Sequence, residues 1–289
     1  MFHKLIKGIA PIAAMALGAA VSGCDMDVSI NGEEGVPLAE LDMSGDPPTE
    51  LVLFGPDNVV LTDGQKLAIA VEGPAEVQDA LRFTLSDGTL GILRKPNSGR
   101  LDGKATVRVT MPAPSSVTMA GSGRIEAPGM GENADINILG SGWLSVAAID
   151  ADRVDVNLLG SGGADVGGKA NRLDLNVAGS GKVDMKGLKV ERADVNVVGS
   201  GDASFASDGR VEANIMGSGT IRVIGRATCE VQAMGSGKLI CEAGDATTTE
   251  AAAPDQAKAE PKAKAKAKAK KRVAKAKDNA KAPKKPRKA

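Results

Sequence analysis

Six acidic side chains recur at one position of a repeated pattern, and their residue type is one that could bind a cation. They stand five residues before the first glycine of successive Gly-Ser-Gly triplets, at Asp135, Asp155, Asp174, Asp194, Glu212 and Glu230. Carboxylate oxygens are preferred ligands of calcium, and an acidic array also attracts basic partners. The pattern therefore predicts a face that could take a cation or a basic partner.

The residues around these acids favour another interpretation, a face that neutralises itself. An arginine stands two residues before the acid at positions 153, 172, 192 and 210, and an amide follows two residues after it. Stacked carboxylates about 4.8 Å apart repel by roughly 1 kcal/mol in water, which nearby arginines offset. Asparagines in register can hydrogen-bond along such a stack. Asp135 and Glu230 have no arginine at that offset, so we expect any ligand at these two ends.

Catalysis by common side-chain constellations is disfavoured by the composition. The only histidine is His3, which lies in a segment that we expect to be removed, so the mature chain lacks the commonest general base and metal ligand. There are four Phe, one Trp and no Tyr, so the aromatic platforms that usually accompany polysaccharide cleavage are scarce. We predict a protein that is not an enzyme and needs no cofactor.

The start of the chain is typical of an exported protein. Residues 1–23 combine a short basic start with an apolar run from Ile9 to Val21 that is too short for a comfortable transmembrane span. The run ends in Val21-Ser22-Gly23-Cys24, which resembles the bacterial lipobox, where the chain is cut before a cysteine that carries lipid. We predict a signal peptide over 1–23, a lipid on Cys24 and a flexible tether over 24–50. An ordinary secretory signal with a chance cysteine is the alternative.

Internal repetition indicates the fold. Gly-Ser-Gly occurs seven times, beginning at Gly121, Gly140, Gly160, Gly179, Gly199, Gly217 and Gly235, in steps of 18 to 20 residues. Around each triplet apolar and polar residues alternate, which is the period of a strand with one buried face. Strands of fixed length with connections of variable length are what a solenoid requires. We predict an all-β, parallel β-helix-like solenoid of about seven Gly-Ser-Gly coils over 51–245, with the glycines turning a corner.

Residues 51–110 contain further strand-like segments separated by Asp-Gly turns, and we expect them to form an N-terminal β cap. Together with the triplets, the segments Phe54-Gly55-Pro56-Asp57-Asn58-Val59 and Leu81–Leu90 resemble the GIN domain family of bacterial envelope proteins, described as autotransporter adhesin heads. The resemblance covers roughly 51–243. It implies a parallel β-helix-like fold and an exported location, and it carries over no catalytic residues.

The two remaining cysteines, Cys229 and Cys241, lie six residues before and after the first glycine of the last triplet. Both fall on the buried side of the alternation, and in a closed coil they could approach each other. An oxidising compartment would allow a disulfide. Two buried thiols acting as small apolar side chains are the alternative.

The charge of the chain is divided between its ends. From Ala251 onward there are 15 Lys or Arg and 3 Asp or Glu, a net charge of +12, whereas the rest has 21 basic and 33 acidic residues, a net charge of −12. We predict a disordered Ala/Lys/Pro-rich basic tail over 246–289. Export and the absence of aromatics argue against a nucleic-acid arm, so we favour electrostatic attachment to an anionic envelope polymer. A solvated tail that binds nothing and a tail that binds back onto the acidic body are the alternatives.

Two functions remain open at this point. The first is an envelope lipoprotein, periplasmic or on the outer surface, with a structural or adhesive binding role. Its lipid would anchor it to the membrane, and its basic tail would hold the polymer. The second is a regulatory or sensory lipoprotein whose solenoid binds a specific protein partner.

Overall fold

The structure is a computed structural model that describes residues 30, 34–95 and 101–242. A 3-10 helix, Leu38–Glu40, precedes sixteen strands and one short α-helix. The elements are β1 (Glu50–Gly55), β2 (Asn58–Asp63), β3 (Ala68–Glu72), α1 (Ala75–Ala80), β4 (Leu81–Ser86), β5 (Thr89–Arg94), β6 (Thr106–Met111), β7 (Ser116–Gly121), β8 (Arg124–Ala127), β9 (Asn133–Gly140), β10 (Trp143–Gly160), β11 (Gly163–Gly179), β12 (Lys182–Gly199), β13 (Asp202–Gly217), β14 (Thr220–Ile224), β15 (Thr228–Gly235) and β16 (Lys238–Glu242).

The strands form a parallel solenoid, which confirms the predicted fold class. Each coil, meaning one turn of the solenoid, has a first strand that ends at the glycine corner and a second strand that follows it. The first strands stack in the order β5, β1, β7 and β9, then the second parts of β10 to β13, and finally β15. The second strands stack as β6, β2 and β8, then the first parts of β10 to β13, β14 and β16.

One coil lies out of chain order. The β1–β2 coil sits between the β5–β6 coil and the β7–β8 coil, although β1 and β2 come first in the sequence. Gly55 at the end of β1 pairs with Gly121, so it occupies the same corner as the triplets. The corner column therefore begins one coil earlier than the Gly-Ser-Gly repeat.

The core is a set of columns of aliphatic side chains. In one column Val154 pairs with Leu173, Leu173 with Ala193 and Ala193 with Val211, and all four are buried. Small and β-branched residues suit this arrangement because each coil must fit flat onto the next. Burial of this repeated apolar surface is the main stabilising contribution.

The corner explains the two glycines of each triplet. Gly160 has a φ of +126°, which strongly favours glycine. At Gly162 the φ is not positive, but an added Cβ would meet the backbone oxygen of Gly142 in the coil below. The backbone N–H of Ser161, between them, donates to the oxygen of Gly140 at 2.9 Å. Close stacking of successive backbones therefore excludes side chains at both glycine positions.

The predicted N-terminal cap is present at the start of the stack. Strand β4 pairs antiparallel with β5, and β3 pairs antiparallel with β6, so the stack of first strands and the stack of second strands each begin with an antiparallel strand. Helix α1 follows Pro74, and it buries Val77 in the main core and also buries Ala80. This six-residue helix and the 3-10 helix are the exceptions to the expected all-β composition.

The segment expected to be a flexible tether is partly packed on the domain where the structure describes it, although residues 42–46 are exposed. Leu38 and Leu41 contact the main core, and Ile30 is buried against Val52 and Leu93. The N–H of Val36 donates to the oxygen of Phe83 at 2.9 Å at the edge of β4. The expectation of a free tether over 24–50 is wrong for these residues, because their apolar side chains find a partly open sheet to cover.

Candidate functional site

The acidic column forms a ladder of ion pairs with the arginines on the outward face of the first strands. Arg153 contacts Asp155 of its own coil at 2.7 Å and Asp174 of the next coil at 2.8 Å. Arg172 repeats the pattern with Asp174 at 3.0 Å and Asp194 at 2.6 Å. Each of these arginines therefore bridges two successive coils and offsets the repulsion between stacked carboxylates.

Arg210 also bridges two coils, and this corrects our expectation that Glu230 has no arginine partner. Arg210 contacts Glu212 at 2.9 Å and Glu230 of the following coil at 3.0 Å. Glu230 is thus paired, although it has no arginine at the matching offset in its own coil. The sequence offset did not reveal this, because it compares residues within one coil and a guanidinium extends to the next.

Asp135 differs from the other acids of the ladder. Within the described residues it has no ion pair within 4.0 Å, since the first arginine, Arg153, turns toward Asp155 and Asp174. Burial raises the pKa of Asp135, and the negative charge of Asp155 raises it further. The pKa of Asp194 is also raised, mainly by burial, although Arg172 opposes the shift.

The structure does not gather these carboxylates into a metal centre. Across residues 30, 34–95 and 101–242, no group of three or more His, Cys, Asp or Glu side chains could hold a metal ion. A parallel stack separates successive acids by a full strand spacing of about 4.8 Å and directs them the same way. The arrangement is a line of charges rather than a coordination sphere.

The amide column forms a continuous hydrogen-bonded ladder beside the acids. The Nδ2 atom of Asn157 donates to Oδ1 of Asn137 at 3.0 Å, and that of Asn176 donates to Oδ1 of Asn157 at 3.0 Å. Asn196 and Asn214 continue it at 3.1 Å each. The predicted asparagine ladder is therefore confirmed over five coils, and it fixes the lateral register of the stack.

A groove of about 1070 Å³ runs along the bend where each second strand passes into the following first strand. Its lining is mostly charged or polar: Glu132, Asp150, Asp152, Lys169, Asn171, Lys189, Glu191, Arg192 and Asp208. Lys169 pairs with Asp150 at 3.0 Å and Lys189 with Asp208 at 2.7 Å. Among the described residues Arg192 makes no ion pair within 4.0 Å, unlike the other three ladder arginines.

A buried ion pair between Asp57 and Arg94 was not predicted from the sequence. Asp57 occupies the corner position that the third residue of each triplet takes elsewhere, and its side chain is 1% exposed. Arg94 at the end of β5 donates to both carboxylate oxygens of Asp57 at 2.7 Å. The N–H of Ala105 also donates to Asp57 at 2.8 Å. The signal available in the sequence was the replacement of the triplet by Gly55-Pro56-Asp57.

The structure places Cys229 and Cys241 together in a disulfide with Cα atoms 6.8 Å apart. They lie on β15 and β16, the two strands of the last coil, whose apolar side chains are only partly covered. Cys24, the predicted signal peptide and the predicted tail lie outside the described residues. No helix in the part of the chain that the structure describes has the length and apolar character to cross a membrane.

Several solved structures share this fold. An adhesin from Bacteroides fragilis, titled "putative", aligns with a TM-score of 0.63 and 19% identity, over 68% of this chain and 93% of that one. A "Putative lipid binding protein" from Parabacteroides distasonis aligns at 0.54 and 22%, over 68% and 93%. A protein from Parabacteroides merdae, titled a "putative adhesin", aligns at 0.52 and 16%, over 68% and 92%.

None of the curated proteins matches the chain. The family model described as "Putative auto-transporter adhesin, head GIN domain" matches residues 47–227, which include the strands from β1 to β14. The matched residues include the out-of-order first coils, most of the glycine corner and the asparagine ladder described above. The chain belongs to the GIN domain family.

Proposed function

We propose that the protein is a non-enzymatic, envelope-anchored lipoprotein whose solenoid has a structural or adhesive binding role and whose basic tail holds an anionic envelope polymer. Membership of a family described as adhesin heads supports the binding role. The proposed location is the cell envelope, either in the periplasm or on the outer surface.

The observation that carries the binding role is the regular outward face of the stack. Five asparagines lie in one hydrogen-bonded ladder beside an acidic ladder in which each acid except Asp135 contacts an arginine. The same side chains therefore recur at every strand spacing along a rigid surface, which suits an extended or repetitive partner better than a small molecule. The related structures titled adhesins are consistent with this use of the fold.

The tail provides the proposed polymer attachment through its net charge of +12. Its lysines and arginines would attract a polyanion over a range set by the ionic strength. The acidic body would be repelled by the same polymer, so attachment would depend on the tail alone. No nucleic acid is expected as the partner.

The experiment compares binding of the full chain to polygalacturonate beads and to neutral dextran beads at rising salt. We expect retention on polygalacturonate only, with retention falling steeply between low and high salt. Replacing the tail lysines with glutamine should abolish retention, whereas replacing them with arginine should preserve it, since the charge is unchanged. Retention that survives the glutamine variant or high salt would exclude the tail as the attachment.

Lipid anchoring is tested separately by mass spectrometry of the mature N-terminus. We expect Cys24 as the first residue, carrying two or three acyl chains. A Cys24→Ala variant should be released from the membrane fraction. An unmodified N-terminus at any other residue would contradict the proposed anchor.

The acidic ladder enters this proposal as scaffold, although a role in binding a cation or a basic partner was the other interpretation of the sequence. Asp135, with no ion pair among the described residues, is where a cation would add most. Titration with millimolar calcium, followed by calorimetry, should give no binding heat and no change in melting temperature. Saturable heat that disappears in Asp135→Asn would instead assign the ladder to cation binding.

A second candidate is a regulatory or sensory lipoprotein that binds one specific protein. The charged groove favours it, because Arg192 faces the groove without an ion pair while its equivalents are engaged in the ladder. Pull-down from envelope fractions with and without the tail separates the candidates. A polymer captured through the tail supports the first, whereas one protein captured equally by both forms, and lost in Arg192→Glu, supports the second.

A further inference from the structure

Apolar side chains form an outward column on the solenoid, one residue before the first glycine of each of the last six triplets. We call these residues the apolar column: Leu139, Leu159, Ala178, Val198, Met216 and Met234. Strand pairing stacks these residues in register along the solenoid. Leu159, Val198, Met216 and Met234 are 52%, 50%, 54% and 71% exposed.

This exposure is not the scattered kind that any protein surface shows. The four large side chains together present on the order of 400 Å² of contiguous apolar surface, which is in the range where such patches mark interaction sites. The column runs beside the asparagine ladder on one side and the exposed serines of the corner on the other. A partner must therefore match a narrow apolar stripe with polar margins.

The chain itself covers the same face at the N-terminal end of the stack. Phe54 is the equivalent of the apolar column in β1, and it packs with Val52, Leu93 and Ile30. From β10 onward the described residues place nothing comparable on the column. The face is therefore apolar along its length, and within the part of the chain that the structure describes only its first coils have an internal cover.

We propose that the apolar column is a self-association surface, on which a second copy of this chain packs side by side and parallel, about a two-fold axis along the column. In this arrangement each column residue lies against the same residue of the other copy. Leu159 meets Leu159 and Val198 meets Val198, so every coil contributes an equivalent apolar contact.

The neighbouring columns suit this symmetry. A two-fold axis on the apolar column brings the position two residues before it opposite the position two residues after it. Those positions hold the asparagine ladder and the corner serines, for example Asn157 and Ser161 of one coil. An amide column against a hydroxyl column supplies donors and acceptors on both sides. The acidic ladder lies one step further out, at the rim, where arginines of the same copy contact each of its acids except Asp135.

The available area agrees with a stable dimer. Six first strands at about 4.8 Å spacing give a length of about 29 Å, and six residues at about 3.3 Å give a width of about 20 Å. The contact would cover about 580 Å² on each copy, about 1,160 Å² in total, which is above the roughly 1,000 Å² that a biological interface should reach. A lipid surface is the less suitable occupant, because the net charge of −12 outside the tail would be repelled by anionic headgroups.

The parallel orientation rests on the proposed lipid anchor, since two chains tethered through Cys24 to one membrane start from the same side. The alternative two-fold axis, perpendicular to the column, would make the two copies antiparallel and would bring different column residues together. It would place Leu159 opposite Met216 and Ala178 opposite Val198. Single-cysteine variants therefore distinguish the two arrangements directly.

The test uses the mature chain with Cys24→Ser, so that it stays in solution without lipid. We expect a dimer in sedimentation equilibrium, with Val198→Glu raising its dissociation constant at least about 100-fold because two carboxylates would meet at the axis. Ala148→Glu is the matched control, because it adds the same charge at an exposed position away from the column. It should leave the dissociation constant within about threefold.

Leu159→Cys and Val198→Cys, each made singly, should form disulfide-linked dimers on mild oxidation, whereas Ala148→Cys should not. A chain that remains monomeric at about 100 µM would overturn self-association. Cross-linking only between mixed Leu159→Cys and Met216→Cys chains would overturn the parallel orientation. Monomers that float with phosphatidylcholine vesicles through Val198 would assign the column to lipid. The mass of mature Cys24 reports on the anchor independently.

Discussion

Removing one partner of the buried ion pair between Asp57 and Arg94 should cost far more stability than removing one partner of an exposed pair elsewhere in the cap. Asp57 is 1% exposed and Arg94 15% exposed, so Asp57→Asn would leave a largely buried guanidinium without its counter-charge. It would also weaken the acceptor for the N–H of Ala105. Breaking a buried pair by removing one partner costs about 3–5 kcal/mol.

Differential scanning calorimetry measures this directly. For a domain of this size each kcal/mol corresponds to roughly 2–4 °C, so Asp57→Asn should lower the melting temperature by roughly 6–20 °C. Glu72→Gln is the matched control, because Arg108 contacts Glu72 at 2.9 Å with both side chains more than half exposed. Exposed pairs contribute less than about 1 kcal/mol, so the control should shift by at most about 4 °C.

A double variant separates the lost attraction from the orphaned charge. Asp57→Asn combined with Arg94→Gln removes both charges, and it should recover part of the stability lost in Asp57→Asn alone. Equal shifts for Asp57→Asn and Glu72→Gln would refute the argument. So would a double variant that is as unstable as the sum of the two single ones.

Three further predictions concern the solenoid itself. Gly179→Ala should destabilise by more than about 2 kcal/mol in chemical denaturation, because φ is +124° and the Cβ meets the backbone of the coil below, whereas Ser180→Ala should be nearly neutral. The pKa of Asp135 is raised in the folded state, so stability should fall as pH rises from the unfolded-state pKa of about 3.8 through the higher folded-state pKa. Asp135→Asn should therefore stabilise the protein at neutral pH and have no effect in strong acid. Thiol labelling of the unfolded, unreduced protein should find Cys229 and Cys241 unreactive, and breaking their 12-residue loop should cost up to about 3 kcal/mol; two reactive thiols would exclude the bridge.

The regular part of the fold was predictable because its information is local and repeated. Each Gly-Ser-Gly corner and the alternation around it state which residues face the core, and stacking converts equal offsets into columns. The in-register pairs of β10, β11 and β12 follow from those offsets without any long-range knowledge. The asparagine ladder followed in the same way, since a side chain and its equivalent one coil later lie about 4.8 Å apart.

The N-terminal region was only partly predictable, because its order depends on competition between distant segments. Its strands were recognisable from alternation, but no local pattern requires the β1–β2 coil to insert between β5–β6 and β7–β8. The packing of Ile30 on Val52 likewise depends on an uncovered apolar face that exists only once the sheet has formed.

The sequence by itself determined the coil, its corner glycines, its buried columns and the division between an acidic body and a basic tail. Only the tertiary structure decided how charges are shared, since Arg210 reaches Glu230 across coils and Arg192 turns to the groove. It also decided which outward apolar residues are covered, because burial depends on what packs from outside the repeat. Backbone periodicity is set within one coil, whereas side-chain partners and exposure are set between coils and between distant segments.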